Sequence, residues 1–320
     1  MEEHACQVAF GHEGDDATAI ARRVRQFQPV GLIVRKGWIT REVLEASPKL
    51  RAVCKHGVGV DNIDIKAATE LQIPVMITPL ANFESVAEHT LGLVLTLVRN
   101  IHRQHAHTRG GGWDKTDYQG VDLLGKTLGL VGFGRIGRRL CELVAPFKMQ
   151  RLVYDPYLSP DQLPARVLQV ADLHVMLPLV DVLSIHAPLT PETTGLIGRR
   201  ELALLRPQAY LVNTARGGII DEAALIRVLQ DGRIRGAALD TFREEPPEPG
   251  NPLFSMDHVV VTNHVGGSSG EALGKMGVDA VRNILDVLSG KKPDTSTIVN
   301  PETVEGRALQ TVRIVEEAEV

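Results

Sequence analysis

The sequence predicts an α/β protein made of two doubly wound parallel-sheet domains, one inserted into the other. Three observations carry this expectation. Short apolar runs alternate with helical patterns along most of the chain, which is the pattern of strands covered by crossover helices. Near the middle, a glycine-rich turn joins one apolar run directly to a helix. The last helical stretch is followed by too little chain to form another domain, so it is expected to pack back on the first.

Taken in order, the first domain offers QVAF (7–10), GLIV (31–34), LRAVCK (50–55) and IPVMIT (73–78) as strands. A helix is expected from Ser85, where Ser85 and Glu88 form an S-x-x-E capping box ahead of LGLVLTLV. Its apolar residues cover nearly every face. Such a helix must be buried, and a subunit interface is one way to bury part of it. Beyond Gly110, Gly111 and Gly112 come six strand-like runs: TLGLVG (127–132), RLVYD, VLSIH, AYLVN, GAALD and VVVT. After Gly270 the stretch EALGKMGVDAVRNILDVL reads as a helix leading into a Pro- and Thr-containing tail. The expected division is therefore 1–82 plus 271–320 as a discontinuous substrate domain, with 83–270 inserted as a nucleotide-binding domain.

Composition limits the function. With 320 residues, 43% hydrophobic and 23% charged, the chain is expected to be globular rather than disordered. A formal net charge of -4 gives no basic surplus for phosphate backbones, so no nucleic acid partner is expected. Cys6, Cys54 and Cys141 are odd in number and form no CxxC pair, which argues against a disulfide framework or a cysteine-built metal site and suits a cytoplasmic home. No apolar run approaches the ~18 residues that span a bilayer, and Met1-Glu2-Glu3-His4 lacks the basic start of an export signal.

The glycine turn is Gly132-Phe133-Gly134-Arg135-Ile136-Gly137. Gly132 permits the tight turn, Gly134 lets the backbone approach a pyrophosphate, and Gly137 lets helix and strand pack closely. Asp155 closes the next strand, near the ~20-residue spacing of the acid that binds adenosine ribose hydroxyls. That acid repels a 2′-phosphate, so the expected cofactor is NAD rather than NADP. The domain is then of the Rossmann type.

Three later segments, NTARGG (213–218), ALDTFREEPP (238–247) and TNHVGG (262–267), fall at strand ends, which in an open α/β sheet face the ligand crevice. Each brings one ionisable candidate: Arg216, Glu245 and His264. Hydride transfer to a carbonyl needs a proton donor, which a histidine supplies near neutral pH. An arginine orients an acid substrate bidentately, and a carboxylate beside the histidine holds its ring. Taken singly, each has a plainer explanation: a helix cap, a solvated charge and a half-buried histidine.

The motifs KHGVGVDNID (55–64), SVAEHTLGLVLTLVRN (85–100), LLGKTLGLVGFGRIG (123–137), VLSIHAPLTPETTGLI (182–197), NTARGGIIDEAAL (213–225), GAALDTFREEPP (236–247) and NHVGG (263–267) resemble those of the D-isomer-specific 2-hydroxyacid dehydrogenases. The phosphoglycerate dehydrogenase-like branch is the nearest. The resemblance implies a flavodoxin-like substrate domain around the Rossmann domain, and interconversion of a D-2-hydroxy acid and its 2-keto acid with NAD. It implies Arg216 on the substrate carboxylate and carbonyl, His264 as general acid and base, and Glu245 as its partner. Val58 and Gly59 would offer backbone amides to the substrate, with Asn82 nearby. For the cofactor it implies Arg135 and Ile136 at the pyrophosphate and Asp155 at the ribose. Ala187, Thr214 with Ala215, and Asp240 would lie towards the nicotinamide, with Gly266 and Gly267 beside His264. It also implies a homodimer through the helix 85–101.

Within this reading a hydroxypyruvate or glyoxylate reductase is the alternative, and an NAD(H)-sensing peptide-binding scaffold is a distant one. A formate dehydrogenase fits poorly, because that branch replaces the glutamate that stands here as Glu245. Two features depart from the family pattern. Asn263 stands where proline commonly precedes the histidine, and QVAF is the sole candidate for the first strand. With twenty residues after Asn300, a regulatory domain such as longer phosphoglycerate dehydrogenases carry is not expected. Lys55, with Lys36 and His56, sits where a substrate phosphate would need a cation. His102, His105 and His107 lack a set of ligands to complete a tetrahedral site, so no metal is expected. Trp113 is either a loop anchor over the cleft or plain packing.

Overall fold

The computed structural model describes residues 6–12, 14–114 and 119–305. Two compact units share the chain, one of Met1–Asn82 with Ser269–Val320 and one of Phe83–Ser268.

The first unit runs α1 (Ala17–Phe27), β1 (Gly31–Val34), α2 (Arg41–Glu45), β2 (Ala52–Lys55), α3 (Ile65–Glu70) and β3 (Val75–Met76). The three strands are parallel in the order β1-β2-β3, with Gly31 opposite Ala52 and Val53 opposite Val75. Both faces of β2 are covered, which is why its run is continuously apolar. Val53 joins Val24, Val43, Leu44 and Val75 on one face. Ala52 and Cys54 join Ala280, Ile284 and Val287 on the other. The latter three come from the returning C-terminal helix (Gly270–Leu288), so the chain end completes the core of the first unit. Burial pushes the Cys54 thiol up to about 12, which leaves it inert.

Residues 7–10 correct one expectation. QVAF is not a strand: it is irregular, with Phe10 84% exposed. A strand exists through its ladder, and these residues pair with none of the three strands.

The second unit opens with α4 (Phe83–Val98) and α5 (Ile101–Arg109), followed by β4 (Thr127–Val131), α6 (Arg135–Leu143) and β5 (Gln150–Tyr154). Next come β6 (Val167–Gln169), α7 (Leu173–Met176), β7 (Val182–Ile185), α8 (Arg199–Leu204) and β8 (Tyr210–Asn213). The unit closes with α9 (Glu222–Gln230), β9 (Gly236–Leu239) and β10 (Val259–Val261), and the returning helix is α10. The strands form a seven-stranded parallel sheet in the order β10-β9-β8-β7-β4-β5-β6. That is one strand more than the six apolar runs suggest. The additional β6 is a three-residue edge strand with Leu168 pointing to solvent, too short for periodicity to reveal.

Helix α4 begins at Phe83, so Ser85 lies inside its first turn rather than at the cap. Asn82, a residue type equally suited to capping, precedes it. Val86, Ala87, Thr90, Leu93, Val94, Leu97 and Val98 are buried, and α4 packs on α6 and on β8 to β10. Its apolar character is therefore largely satisfied within its own unit. Helix α5 differs in having no buried residue.

Candidate active site

The order of the seven-stranded sheet reverses between β4 and β7, and the carboxyl ends of strands at such a point open a crevice. Gly132, after β4, and Ala187, after β7, meet there. Gly132 has φ +91, and a Cβ on it would lie 2.7 Å from the Ala187 nitrogen. A Cβ on Gly137 would lie 2.6 Å from the Gly132 carbonyl oxygen. Gly134 is the opposite case: a Cβ there would meet nothing within 4 Å. Two glycines thus close the turn and the third leaves it open.

Gly134 caps α6 without a side-chain bond, so the first amides of that helix, at Arg135 and Ile136, face open space with the positive end of its dipole. Asp155 Oδ2 accepts from the Phe133 amide at 2.8 Å and Oδ1 from the Tyr157 amide at 3.0 Å, which fixes the carboxylate beside the turn. An open, uncapped helix start with a fixed acid at the neighbouring strand end fits a dinucleotide.

Across the same sheet edge, the ends of β8, β9 and β10 bring three loops together. His264 Nδ1 lies 2.7 Å from Glu245 Oε2, and Glu245 Oε1 accepts from the Phe242 amide at 3.0 Å. Burial pushes the Glu245 carboxyl up, but the His264 and Phe242 hydrogen bonds and the Arg216 charge outweigh it and hold it below the usual carboxylate range. It is therefore an anion at neutral pH. With Nδ1 on Glu245, the ring presents Nε2 to an incoming group, and the side chain is 46% exposed.

Arg216 is carried into this cluster by backbone packing. Asn213 Nδ2 donates to the Arg216 carbonyl at 2.9 Å and Asn213 Oδ1 accepts from the Ala215 amide at 3.0 Å. A Cβ on Gly217 would lie 1.9 Å from the Phe242 carbonyl carbon, so only glycine lets the arginine loop lie directly on the glutamate loop. Thr214 is buried, and its hydroxyl meets that of Thr90 on α4 at 2.8 Å.

His264 itself has φ +56, an unusual state for a non-glycine residue. Asp240 holds it there. Its carbonyl accepts from the His264 amide at 2.8 Å. Its carboxylate accepts from Thr262 Oγ1 (2.6 Å) and from the amides of Val265 and Gly266 (2.9 Å each). Burial raises the Asp240 carboxyl, yet these bonds and His89 drive it far below the ordinary range. The loop is thus aimed by a carboxylate clamp.

In the first unit, the turn after β2 is pinned to Thr78: the Gly57 amide donates to Thr78 Oγ1 at 3.0 Å, and the Thr78 amide donates to the Gly57 carbonyl at 2.8 Å. Gly57 has φ +138. The next amides, of Val58 and Gly59, have no hydrogen-bond partner among the described residues, and Val58 is exposed. They are available donors. Lys55 is less available, since Nζ donates to the Arg35 carbonyl (3.0 Å) and Asn62 Oδ1 (2.7 Å). Asn82 is half-buried at the end of this unit, and Gly267 is half-buried beside Gly266.

A family profile described as "D-isomer specific 2-hydroxyacid dehydrogenase, NAD binding domain" matches residues 91–266. The chain belongs to the D-isomer specific 2-hydroxyacid dehydrogenase family. Residues 91–266 are this family's NAD-binding domain, and NAD is the cofactor its residues fit. The chain is 44% identical over 262 residues to a D-3-phosphoglycerate dehydrogenase of Methanocaldococcus jannaschii, covering 81% of this chain and 50% of that protein. It thus spans about half the length of the curated relatives it matches. Among solved structures, a Thermus thermophilus protein superposes with a TM-score of 0.81 at 36% identity, over 88% of this chain and 89% of that one. A glyoxylate reductase from Paecilomyes thermophila gives 0.81 at 28% identity, over 89% of each chain.

Four site residues of this family member escape sequence reasoning. His186 follows β7, with Nε2 2.9 Å from Ser184 Oγ and Cδ2 in contact with the Gly137 position; burial pushes it down to about 4, so it stays neutral beside the phosphate turn. His89, Thr262 and Gly217 complete the clamp and the loop contact described above. The histidines sit inside quoted motifs, so their presence was visible, but their partners lie far away in sequence. Elsewhere, His102 meets the Asp257 carbonyl (2.9 Å) and His107 meets Asp114 (2.9 Å), each separately engaged. Trp113 is largely exposed.

Proposed function

We propose that the chain is an NAD-dependent oxidoreductase interconverting a D-2-hydroxy acid and its 2-keto acid, with 3-phosphoglycerate and 3-phosphohydroxypyruvate as the leading pair. The observation that carries this is the His264–Glu245 contact at 2.7 Å, with Arg216 held against it at the same sheet edge as the open glycine turn. In this reading Phe83–Ser268 binds NAD and the first unit supplies the substrate-binding turn.

The chemistry divides among named residues. Gly134, Arg135 and Ile136 hold the pyrophosphate, Asp155 the ribose, and the strand-end residues Ala187, Thr214, Ala215, Asp240, Gly266 and Gly267 line the nicotinamide end. NAD(H), when bound by these residues, would supply the hydride chemistry. His264, charged and donating Nδ1–H to Glu245, gives its Nε2 proton to the carbonyl oxygen, and takes it back when the alcohol is oxidised. Glu245 is anionic throughout and stabilises the charged ring. Arg216 is the second unit's group for the substrate carboxylate, and the Val58 and Gly59 amides with Asn82 are the first unit's substrate-binding residues.

The leading substrate rests on the named relatives. A hydroxypyruvate or glyoxylate reductase is the second reading, favoured by the internal engagement of Lys55, which leaves that cation little freedom for a substrate phosphate. No helix is long and apolar enough to cross a membrane among the described residues. The proposal includes a cytoplasmic protein, and a homodimer whose contact runs through 85–101 and extends to α5, the helix without buried residues.

NADH oxidation followed by absorbance tests this with 3-phosphohydroxypyruvate, hydroxypyruvate, glyoxylate and pyruvate. Preference for the phosphorylated acid, lost in Lys55→Ala, supports the leading pair. Preference for an unphosphorylated acid supports the reductase. Tight NADH binding with no turnover would revive the scaffold.

A further inference from the structure

The strand-end clamp has a member on another element. His89, in the second turn of α4, places Nε2 at 3.2 Å from Thr262 Oγ1 and 3.4 Å from Asp240 Oδ1. The proton positions follow from the partners. Asp240 is a carboxylate with no proton to give, and Thr262 Oγ1 points its hydrogen at Asp240 Oδ1 across 2.6 Å. The hydrogen between His89 and this oxygen pair therefore belongs to the ring. His89 is a donor through Nε2, and it reaches this oxygen pair from helix α4 rather than from the loop itself.

Gly266 lets this arrangement close: a Cβ there would lie 3.0 Å from Asp240 Oδ2 and 3.4 Å from His89 Cδ2. We propose that His89 is a positioning residue for His264, steadying the loop 262–266 by donating a hydrogen bond to the Thr262–Asp240 pair. Its reach extends along the chain. Helix α4 begins where the chain enters the second unit at Phe83, and the loop ends just before the chain leaves it at Ser268. One hydrogen-bonded group thus ties the stretch following one crossing to the stretch preceding the other, with His264 between Thr262 and Val265. The consequence for turnover rests on the dehydrogenase reading; the consequence for the loop does not.

The test compares His89→Leu, which keeps bulk and removes the donor, with His89→Gln, whose amide nitrogen reaches the Nε2 position. Hydrogen exchange is read on the full chain across 259–267, alongside steady-state turnover of the preferred keto acid and NADH affinity. Loss of one half-buried donor predicts roughly tenfold faster exchange at the Val265 and Gly266 amides in His89→Leu. Exchange in β4 and β7 should be unchanged. The expected kinetic effect is roughly a tenfold fall in kcat at unchanged KM for the keto acid, with His89→Gln close to the unmodified protein in both readouts. The proposal is overturned by unchanged exchange in His89→Leu, by acceleration spread evenly over the unit, or by a glutamine variant no better than leucine. If no keto acid is turned over, the exchange comparison still decides the point.

Discussion

Gly217→Ala is the substitution whose effect follows most directly from the packing. The added Cβ would sit 1.9 Å from the Phe242 carbonyl carbon, 2.2 Å from its oxygen and 2.4 Å from the Arg243 nitrogen. All three are backbone atoms, so no side chain can turn aside. Ordinary contact begins near 3.4 Å, which requires the arginine and glutamate loops to separate by about 1.5 Å. A displacement of ~1 Å in a reacting constellation costs about 100-fold in rate, so kcat should fall by that order or more. Overpacking of this kind costs ~1–3 kcal/mol, and each kcal/mol lowers Tm by roughly 2–4 °C in a unit of this size. Steady-state NADH oxidation and a thermal melt read the two effects. NADH affinity, set mainly by the glycine turn after β4, should change less than twofold. A Gly217→Ala protein with unaltered kcat would refute the claim that this contact registers Arg216 against Glu245 and His264.

Asp155→Ala should narrow the preference for NADH over NADPH by roughly tenfold or more, because it removes the charge that repels a 2′-phosphate; comparison of kcat/KM for the two cofactors checks this. Stability should fall as pH drops from about 6.5 towards 4, because His186 is held neutral down to about 4 while the unfolded chain takes up its proton near 6.5. The unfolded state binds more protons in that window, so His186 contributes stability that is present above it and lost below, at most about 3 kcal/mol, and His186→Asn should flatten the slope in urea melts at stepped pH. Glu245, whose folded carboxyl lies below the usual range, contributes stability present at neutral pH and lost as acid protonates it, so Glu245→Gln should flatten the dependence below about pH 4.5.

The sequence made the second unit legible because its signals are local. A strand, a glycine turn and a helix follow one another at 127–143, and Arg216, Glu245 and His264 each sit at a strand end. What was not legible depends on contacts between distant residues. Nothing in NTARGG reveals that Gly217 faces the backbone of Phe242, or in AEHT that His89 reaches Thr262. QVAF shows the converse failure: four residues with strand composition remain irregular because no neighbour accepts their ladder. The all-round apolar pattern of α4 signals burial but not its partners, and the sheet and α6 cover most of its buried residues. Lys55 stands in sequence where a substrate phosphate would need a cation, and its engagement with Arg35 and Asn62 is a tertiary fact.

The central claim is that His264, held by Glu245, moves the proton while the glycine turn holds the cofactor. Comparison of His264→Gln with the unmodified chain tests it, measuring kcat with the preferred keto acid and NADH affinity by fluorescence on the same preparations. Loss of a positioned acid–base group predicts a fall in kcat of about 10²–10⁴-fold with NADH affinity nearly unchanged. Equal losses in turnover and in NADH binding would contradict the account, for they would make the histidine a support of the fold rather than the proton donor.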